Sequence, residues 1–220
     1  MKHSTAATIA VALSLALTGC GSGSKSDTNK TSTSTSTSTS TSTTTTTTTG
    51  AHANKSIADY IVENKITETP VHRGDPGPTI DLPVPAGWQV GQSRASYGGI
   101  VLSQPVNPSD PPTIEAIVSK LTGNVDPAQI LQYAPGELQN LPGYQGSSGK
   151  ASTLSGFQAW QLGGTFTRDG KPRAIAQKTV VIPSQGAVYV LQLNASSLES
   201  DQGPLMDATN VIDDQTTITP

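Results

Sequence analysis

Cysteine and histidine are scarce in this sequence of 220 residues, and their scarcity excludes several kinds of site. The single cysteine, Cys20, excludes a disulfide within the chain and also excludes cysteine-ligated zinc and iron–sulfur centres. Histidines stand at positions 3, 52 and 72, and only His72 lies in the part of the chain that we expect to fold. One histidine cannot build a multi-histidine metal site. We therefore expect neither a metal nor another cofactor.

Positive charge is also in short supply. The chain has 13 Lys and Arg against 16 Asp and Glu, and in residues 56–220 the counts are 9 and 15. Nucleic-acid binding needs a basic face, and electrostatic docking on anionic lipid needs one too. We expect neither a nucleic-acid partner nor a membrane contact of that kind.

The N-terminal segment has the parts of a secretory signal. Lys2 precedes an apolar stretch about half as long as the ~20 residues that span a bilayer. The stretch ends in Leu17-Thr18-Gly19-Cys20, which resembles the bacterial lipobox. We predict a lipoprotein signal peptide over residues 1–19 and an acylated Cys20; an ordinary signal peptide with a stray cysteine is the alternative. Two or more acyl chains anchor a protein stably, which predicts attachment to the extracytoplasmic face of the cell membrane.

Residues 20–55 read as a linker between this anchor and the rest of the chain. Thr31–Thr49 is an unbroken run of Thr and Ser, which can bury nothing and is predicted to be disordered. As a flexible coil the linker spans about 30–35 Å. The run suits either O-glycosylation or a plain spacer, and its exposure to proteases would allow part of the protein to be shed.

Residues 56–220 are numerous enough for one domain with a hydrophobic core. Caps and apolar spacing predict three helices: about 57–65 after Ser56 and Asp59, a second after Asp126-Pro127, and a last one from Pro204 to about Asp214 with Leu205, Ala208 and Ile212 in one stripe. Pro135-Gly136 should interrupt or end the second helix.

Extended segments account for most of the remaining domain. They are Val71, Thr79–Leu82, Tyr97–Gln104, Thr113–Leu121, Phe157–Thr167, Ala174–Ile182 and Ala187–Leu193. The apolar spacing of Thr113–Leu121 fits a helix nearly as well as a strand. The Asp169-Gly170 pair predicts a hairpin turn. Ala187–Leu193 is apolar on both faces, which is typical of a central strand in a sheet covered on both sides. The predicted class is α+β, an antiparallel β-sheet flanked by helices on both faces.

Several stretches of this domain, taken together, resemble the mycobacterial LpqN-type lipoproteins. They include Ile57-Ala58-Asp59-Tyr60-Ile61, Thr79-Ile80-Asp81-Leu82-Pro83-Val84-Pro85-Ala86-Gly87-Trp88, Leu162-Gly163-Gly164, Gln177-Lys178-Thr179-Val180-Val181-Ile182-Pro183 and Tyr189-Val190-Leu191-Gln192-Leu193. The resemblance implies a fold similar to that of the PsbP and Mog1 proteins and residence in the mycobacterial envelope. It also implies non-enzymatic work: handling mycolate-type glycolipids beside export machinery, or contacting host proteins. It carries no site residues over.

Catalytic motifs offer little support for an enzyme. No nucleophile elbow occurs; Gly146-Ser147-Ser148-Gly149 is the nearest segment and lacks its spacing. A hydrolase built around His72, with Asp75 or Asp81 as its acid, stays open as an alternative. Four cations in the hairpin, Arg168, Lys171, Arg173 and Lys178, would meet an acidic partner or a lipid headgroup, or else form a solvated edge.

The aromatic side chains supply the candidate ligand contacts. Trp88, Tyr97, Tyr133 and Tyr144 either line a ligand cavity or belong to a plain core, and Trp160 is predicted to be core. A lipid-binding protein should have a cavity bounded by a helix and the sheet. A protein-binding one should have an exposed apolar patch, and a passive surface antigen neither. We expect a membrane-anchored, non-enzymatic binding protein for an envelope lipid, or for an envelope or host protein.

Overall fold

The computed structural model describes residues 53–220 apart from positions 94, 96 and 185. The predicted signal peptide, Cys20 and nearly all of the predicted linker lie outside the described residues. In the part of the chain that is described, no helix is long and apolar enough to cross a membrane.

Nine of the strands in the described residues form one large antiparallel sheet. The strands are β1 Thr67–Pro70, β2 Thr79–Asp81, β3 Trp88–Val90, β4 Gly98–Leu102, β5 Thr113–Thr122, β6 Gln145–Gly146, β7 Lys150–Leu154, β8 Phe157–Arg168, β9 Lys171–Ser184, β10 Ala187–Leu198 and β11 Thr217–Thr219. The order across the large sheet is β3-β4-β5-β10-β9-β8-β6, and β1 also pairs with β5 and β7 with β8. β2 and β11 pair with each other as a second, small sheet.

Helices cover both faces of the large sheet. They are α1 Ile57–Glu63, α2 Pro127–Gln139 and α3 Gln202–Gln215, with a short 3-10 helix over Glu199–Asp201 before α3. α1 packs on α2, and α2 packs on β8 and β9. α3 packs on β10 from the opposite side, where its Leu205 and Ile212 enter the core. The predicted α+β class is confirmed; the likeness to the PsbP and Mog1 proteins stays a prediction.

Strand β10 lies in the middle of the sheet and separates two cores. Its Val188 and Val190 turn to the side of α1 and α2. Its Tyr189, Leu191 and Leu193 turn to the side of α3. This is the alternation that a pleated strand imposes on a sequence apolar at every position. The predicted central place of this segment is confirmed.

Local signals set the starts of α1 and α2 as predicted, whereas α3 begins at Gln202, two residues before the predicted start at Pro204. The Ser56 hydroxyl accepts a hydrogen bond from the Asp59 amide at 3.2 Å, and the Asp59 carboxylate accepts one from the Ser56 amide at 2.9 Å. This reciprocal pair is a capping box. Asp126 caps α2 by accepting from the Ala128 amide at 2.9 Å. Both caps satisfy backbone donors that a helix start otherwise leaves unpaired.

The hairpin between β8 and β9 follows its sequence signature. Asp169 and Gly170 adopt φ values of +53° and +72°. Two successive left-handed residues make a type I′ turn, whose twist matches that of the paired strands. The strands then stay in register from Arg168↔Lys171 to Ala159↔Val180.

The predicted interruption of α2 is wrong, because the helix runs through Pro135 to Gln139. Proline removes a backbone hydrogen bond, but tertiary packing stabilises a helix more than local propensity does. Ala134 and Leu138 are buried on either side of the proline. Gly136 is held by packing, since a Cβ on it would lie 2.1 Å from the carbonyl oxygen of Lys55.

The chain enters the domain along α2. The Asn54 amide donates to Asn140 Oδ1 at 3.1 Å, and Asn140 Nδ2 donates back to the Asn54 carbonyl at 2.7 Å. The Ile57 amide donates to Glu137 Oε1 at 3.0 Å. Burial raises the pKa of Glu137, and hydrogen bonds from the Ile57 and Ala58 amides oppose that rise. These contacts fasten residues 54–57 to the second half of α2.

Short strands are the elements that the sequence patterns do not predict. β3, β6 and β11 have three, two and three residues, β1 has four, and β7 has five residues without an apolar alternation. α1 also ends at Glu63, two residues before the predicted end. Segments this short depend on the neighbouring strand rather than on their own periodicity.

Candidate functional site: a cavity between α3 and the sheet

A cavity of about 630 Å³ lies between α3 and the strands β8 and β9. Ligand pockets in proteins usually measure about 300–1,000 Å³. Its floor consists of small side chains: Gly163 and Thr165 from β8, and Ala174 and Ala176 from β9. Ile114 and Ala195 close the floor on the side of β5 and β10. The volume is therefore that of a small-molecule site.

Space remains above the floor of the cavity because small residues of β8 are paired with small residues of β9. Gly163 pairs with Ala176, and Thr165 pairs with Ala174. Paired residues in adjacent strands point to the same face, so all four turn toward α3. No side chain among these four is large enough to fill the space below the helix.

α3 forms one wall of the cavity. Leu205 and Ile212 are buried and fix the helix to the sheet. The helical stripe predicted from Leu205, Ala208 and Ile212 is confirmed as the core-facing one. Met206, Thr209 and Asn210 lie beside that stripe and line the cavity. The wall is thus partly apolar and partly amide and hydroxyl.

The segment 145–150, between β6 and β7, supplies the opposite rim. It is tied to β8 by side-chain hydrogen bonds. Tyr144 donates its hydroxyl toward the Gly163 carbonyl at 3.2 Å, and Trp160 Nε1 donates to the Ser148 carbonyl at 3.0 Å. Burial raises the pKa of Tyr144 above its ordinary value. A Cβ on Gly164 would lie 2.3 Å from the Gln145 carbonyl oxygen, so glycine is required for this close approach.

One end of the cavity is charged. Lys178 Nζ lies 2.7 Å from Asp213 Oδ1, and their side chains are 8% and 38% exposed. Lys178 pairs with Gln161 across β9 and β8, and Gln161 pairs with Lys150 across β8 and β7. The cavity therefore has a polar end with two lysines and one aspartate, and a floor of hydrocarbon. Such a lining can hold the chain of an amphipathic molecule and meet its polar head.

None of the four aromatic residues predicted as ligand contacts lines this cavity. Trp88 and Tyr97 are buried in the core on the α3 side, and Tyr97 Oη accepts from the Ile80 amide at 2.9 Å. Tyr133 packs on α1, with its ring centroid 5.8 Å from that of Tyr60. Tyr144 lies behind the rim, where it holds the segment 145–150. Cys20 lies outside the described residues.

Trp160 is half-buried rather than fully core. It packs against the core of α1 and α2, and its indole N–H holds the Ser148 carbonyl. The residues that do line the cavity are glycines, alanines and polar side chains of β8 and β9. No single segment of the sequence marks them, because only the pairing of β8 with β9 brings Gly163 beside Ala176 and Thr165 beside Ala174.

His72 stands apart from the cavity. Its side chain is 66% exposed, and Nδ1 lies 3.2 Å from Asp75 Oδ2. The His72 amide donates to the same carboxylate at 2.7 Å. That backbone hydrogen bond, with the ring contact second, lowers the pKa of Asp75. The histidine and its acid form an exposed turn.

The four hairpin cations do not form one patch, so both predictions for them are wrong in part. Arg173 and Lys178 are buried, on opposite faces of β9. Arg173 pairs with Asp110 of the loop before β5, and Lys178 pairs with Asp213. Arg168 and Lys171 remain exposed at the turn. Because β9 is an interior strand, the charges along it needed partners within the fold.

Fold and cavity together define the class: an α+β domain on one antiparallel sheet, with a helix-covered cavity on one face. The sequence model of the Lpp-LpqN family, described as "Probable lipoprotein LpqN", matches residues 53–219. The chain belongs to this family of lipoproteins.

Known relatives agree with that assignment. "Lipoprotein LpqN" of Mycobacterium tuberculosis is 67% identical over 174 residues, which are 77% of this chain and 76% of the relative. "Putative lipoprotein LpqT" of Mycobacterium leprae is 25% identical over 57% of this chain and 58% of its own length. The solved structure described as "Crystal structure of LpqN involved in cell envelope biogenesis of Mycobacterium tuberculosis" matches with a TM-score of 0.75 and 66% identity. That match covers 76% of this chain and 99% of the solved one.

Proposed function

We propose that this lipoprotein is a membrane-anchored, non-enzymatic binding protein that holds the hydrocarbon part of an envelope lipid in the cavity under α3. Mycolate-type glycolipids are the first candidates. The observation that carries the proposal is the cavity of about 630 Å³ with a floor of glycine and alanine. Binding of a hydrocarbon chain to such an apolar surface is favourable, because it removes the apolar area of both from water.

Membership of a lipoprotein family supports the anchor, which in this chain would be the acylated Cys20. The solved relative is described as involved in cell envelope biogenesis, and this supports a ligand from the envelope. An anchored binding domain on a flexible linker would work at the membrane surface and within about 30–35 Å of it.

The two rival functions have weaker support. A hydrolase around His72 would need its reacting groups in a cleft, whereas His72 lies in an exposed turn away from the cavity. A protein-binding surface would be marked by a contiguous apolar patch. The most exposed large apolar side chains, Val62, Val90 and Val106, stand in α1, in β3 and in the loop before β5.

The test is native mass spectrometry of residues 53–220 purified from a mycobacterial host. The family model matches residues 53–219, and the solved relative matches 76% of this chain with 99% of its own length, so this part is expected to fold alone. We expect a bound mass that is released on denaturation and extracts as lipid. A bare protein mass that does not shift on addition of envelope lipids would contradict the proposal.

A pair of variants in α3 makes the test specific for the cavity. Thr209→Trp puts a large ring into the space, whereas Asp207→Trp puts the same ring on an exposed position of α3 that does not line it. We expect the first variant to lose the bound lipid and the second to keep it. Equal retention by both would place the lipid elsewhere.

A further inference from the structure

We infer that residues 199–206, which we call the gate, unfold locally to admit a hydrocarbon chain into the cavity and then refold over it. The gate consists of the 3-10 helix and the first residues of α3. The inference rests on the proposed function and adds the route by which the ligand enters. It follows from a difference between the two ends of α3: one end is fastened to the domain, and the other holds buried oxygens that have no partner.

The C-terminal end of α3 is fastened by several contacts. Thr216 Oγ1 donates to the Ile212 carbonyl at 2.6 Å. The chain then continues into β11, which pairs with β2, and the Ile218 amide donates to the Ser155 hydroxyl at 2.9 Å. The ion pair at the charged end of the cavity also joins this end of α3 to β9. We therefore expect the C-terminal half of the helix to stay in place when the cavity fills.

Asp201 marks the opposite end, where it directly precedes α3. Its side chain makes no capping hydrogen bond to the helix. The residue is 2% exposed, and Oδ2 is buried without a hydrogen-bond partner among the described residues. A buried oxygen without a partner destabilises the state in which it is buried, because that state gives up hydration and gains no hydrogen bond. The closed form of the gate carries this penalty, and unfolding of the gate removes it.

Ser197 adds a second oxygen of the same kind. It is 0% exposed, and within the described part of the chain its Oγ has no hydrogen-bond partner. Ser197 pairs with Ala174 of the cavity floor, and the 3-10 helix packs on β9 and β10 beside that pair. Unfolding of residues 199–206 would let water reach both oxygens, so the free energy of opening is lower than for a segment whose buried groups are all paired.

The gate covers the apolar end of the cavity. α3 starts where β10 ends and reaches the ion pair only near its own C-terminus, so its first residues lie over the end away from the charges. Gln202, Leu205 and Met206 line the cavity there. Of residues 202–206 only Leu205 is buried, and Met206 is 46% exposed. Little apolar area holds this half of the helix to the sheet, which is typical of segments that open to admit a ligand.

Hydrogen exchange of residues 53–220, followed by NMR, tests whether the gate opens. In a helix the amides of residues 206–209 bond to the carbonyls of residues 202–205, so opening of the gate exposes them. We expect these amides to exchange faster than those of residues 212–215. Ser197→Ala removes one buried hydroxyl and should slow the exchange of residues 206–209 by about tenfold. Ser119→Ala, the same change on the α2 side of the sheet, should leave it as it is. Equal exchange at both ends of α3, or no slowing in Ser197→Ala, would overturn the inference.

Stopped-flow fluorescence tests whether the opening controls uptake. The probe is N-phenyl-1-naphthylamine, an uncharged apolar dye. The gate is closed both in the empty protein and in the complex, so a variant that stabilises the closed form should slow association and dissociation by the same factor and leave the dissociation constant unchanged. We expect this of Asp201→Asn, which leaves an uncharged group at the buried site, and of Gly203→Ala, which favours the helix.

A variant at the fastened end is the control for uptake. Thr216→Val removes the hydrogen bond to the Ile212 carbonyl and should leave both rates of the dye unchanged. A faster uptake in Thr216→Val would show that α3 opens from its C-terminal end. A changed dissociation constant at an unchanged association rate in Asp201→Asn and Gly203→Ala would show that residues 199–206 contact the ligand without controlling its entry. Either result would overturn the inference.

The outcomes also separate the gate from the proposed function. If the dye binds in the cavity but neither exchange nor rates respond to the variants, the cavity binds apolar ligands and the inference about the gate is wrong. If neither the dye nor an envelope lipid binds, the proposed function fails, and the role of the gate in uptake fails with it.

Discussion

Strands β8 and β9 have two faces that differ sharply in the size of their side chains. On the side of α2 they carry Trp160, Phe166 and Val181, and that side is filled. On the side of α3, at the alternate positions of the same strands, they carry Gly163, Ala174 and Ala176, and a cavity remains there. The same backbone therefore supports a close-packed layer and an open one, and only the alternation of side-chain volume decides which.

The difference separates stability from binding. A close-packed interior relaxes only in part when volume is removed or added, so the side of α2 should be sensitive to small changes of volume. The side of α3 has empty space next to small residues, and it should tolerate added volume. Variants made in pairs, one on each side of the sheet, test this difference.

Truncation on the α2 side should have the largest effect. Phe166→Ala removes a buried ring from β8, so we expect the free energy of unfolding to fall by about 3 kcal/mol. Ala176→Leu, on the cavity side of β9, adds volume to empty space and should change it by less than about 1 kcal/mol. Urea titration measures both. A large loss in Ala176→Leu would show that the two sides are equally close-packed.

The helices on the two sides contain glycines that should respond differently to alanine. In Gly136→Ala the new Cβ meets the Lys55 carbonyl oxygen, so we expect a loss of about 2 kcal/mol. In Gly203→Ala of α3 the Cβ has open space around it, and alanine favours the helix by up to about 1 kcal/mol. Thermal unfolding followed by circular dichroism should show a lower midpoint for the first variant only. Similar midpoints would mean that residues 54–56 move aside readily.

Replacement of threonine by valine should raise the free energy of unfolding on the α2 side of the sheet and leave it nearly unchanged on the α3 side. Thr179 Oγ1 is fully buried on the α2 side and has no hydrogen-bond partner among the described residues. Thr179→Val removes this unpaired hydroxyl at nearly constant shape, and we expect a gain of about 1 kcal/mol. Thr165→Val, on the half-exposed floor of the cavity, is the control and should change little. A loss in Thr179→Val would reveal a partner for the hydroxyl.

The smallest expected effect is a pH dependence that comes from one buried carboxyl group on the α2 side, that of Glu137. Burial raises the pKa of Glu137 above its ordinary value of 4.5, so the native chain binds this proton more readily than the unfolded chain does. The resulting stability is complete below the ordinary value and is lost as the pH rises through the raised one. Glu137→Gln should flatten the stability profile in that window, and the exposed Glu199→Gln should not. An identical slope in wild type and Glu137→Gln would contradict the assignment.

Features that depend on neighbouring residues were predictable from the sequence. The Ser56–Asp59 capping box, the Asp126 cap and the Asp169-Gly170 turn all form within four residues of chain, so their signals are complete there. The central place of β10 was predictable for a related reason: apolar residues at every position need cover on both faces. Pro135 was misjudged because its local penalty competes with the burial of α2, which the sequence does not display.

The cavity was not predictable, because it exists only between segments that are distant in sequence. Glycine and alanine at alternate positions carry no local signal for a site until register brings Gly163 beside Ala176. Large aromatics such as Trp88 and Tyr97 attracted the prediction, yet large side chains fill space rather than leave it. Lys178 did carry a usable signal. Lys178, Val180 and Ile182 stand at alternate positions of one strand and therefore lie on the same face. A lysine on that apolar face needs a charged partner.

The entry of the chain along α2 has a mechanical consequence. If the protein is anchored through Cys20 as proposed, a pulling force would reach the domain at residues 54–57, where Asn140 and Glu137 hold the backbone. From there it would pass to α2 and to the strands β8 and β9 on which α2 packs. α3 packs on the opposite face of the sheet, so the helical wall of the cavity would lie away from the point where the force is applied.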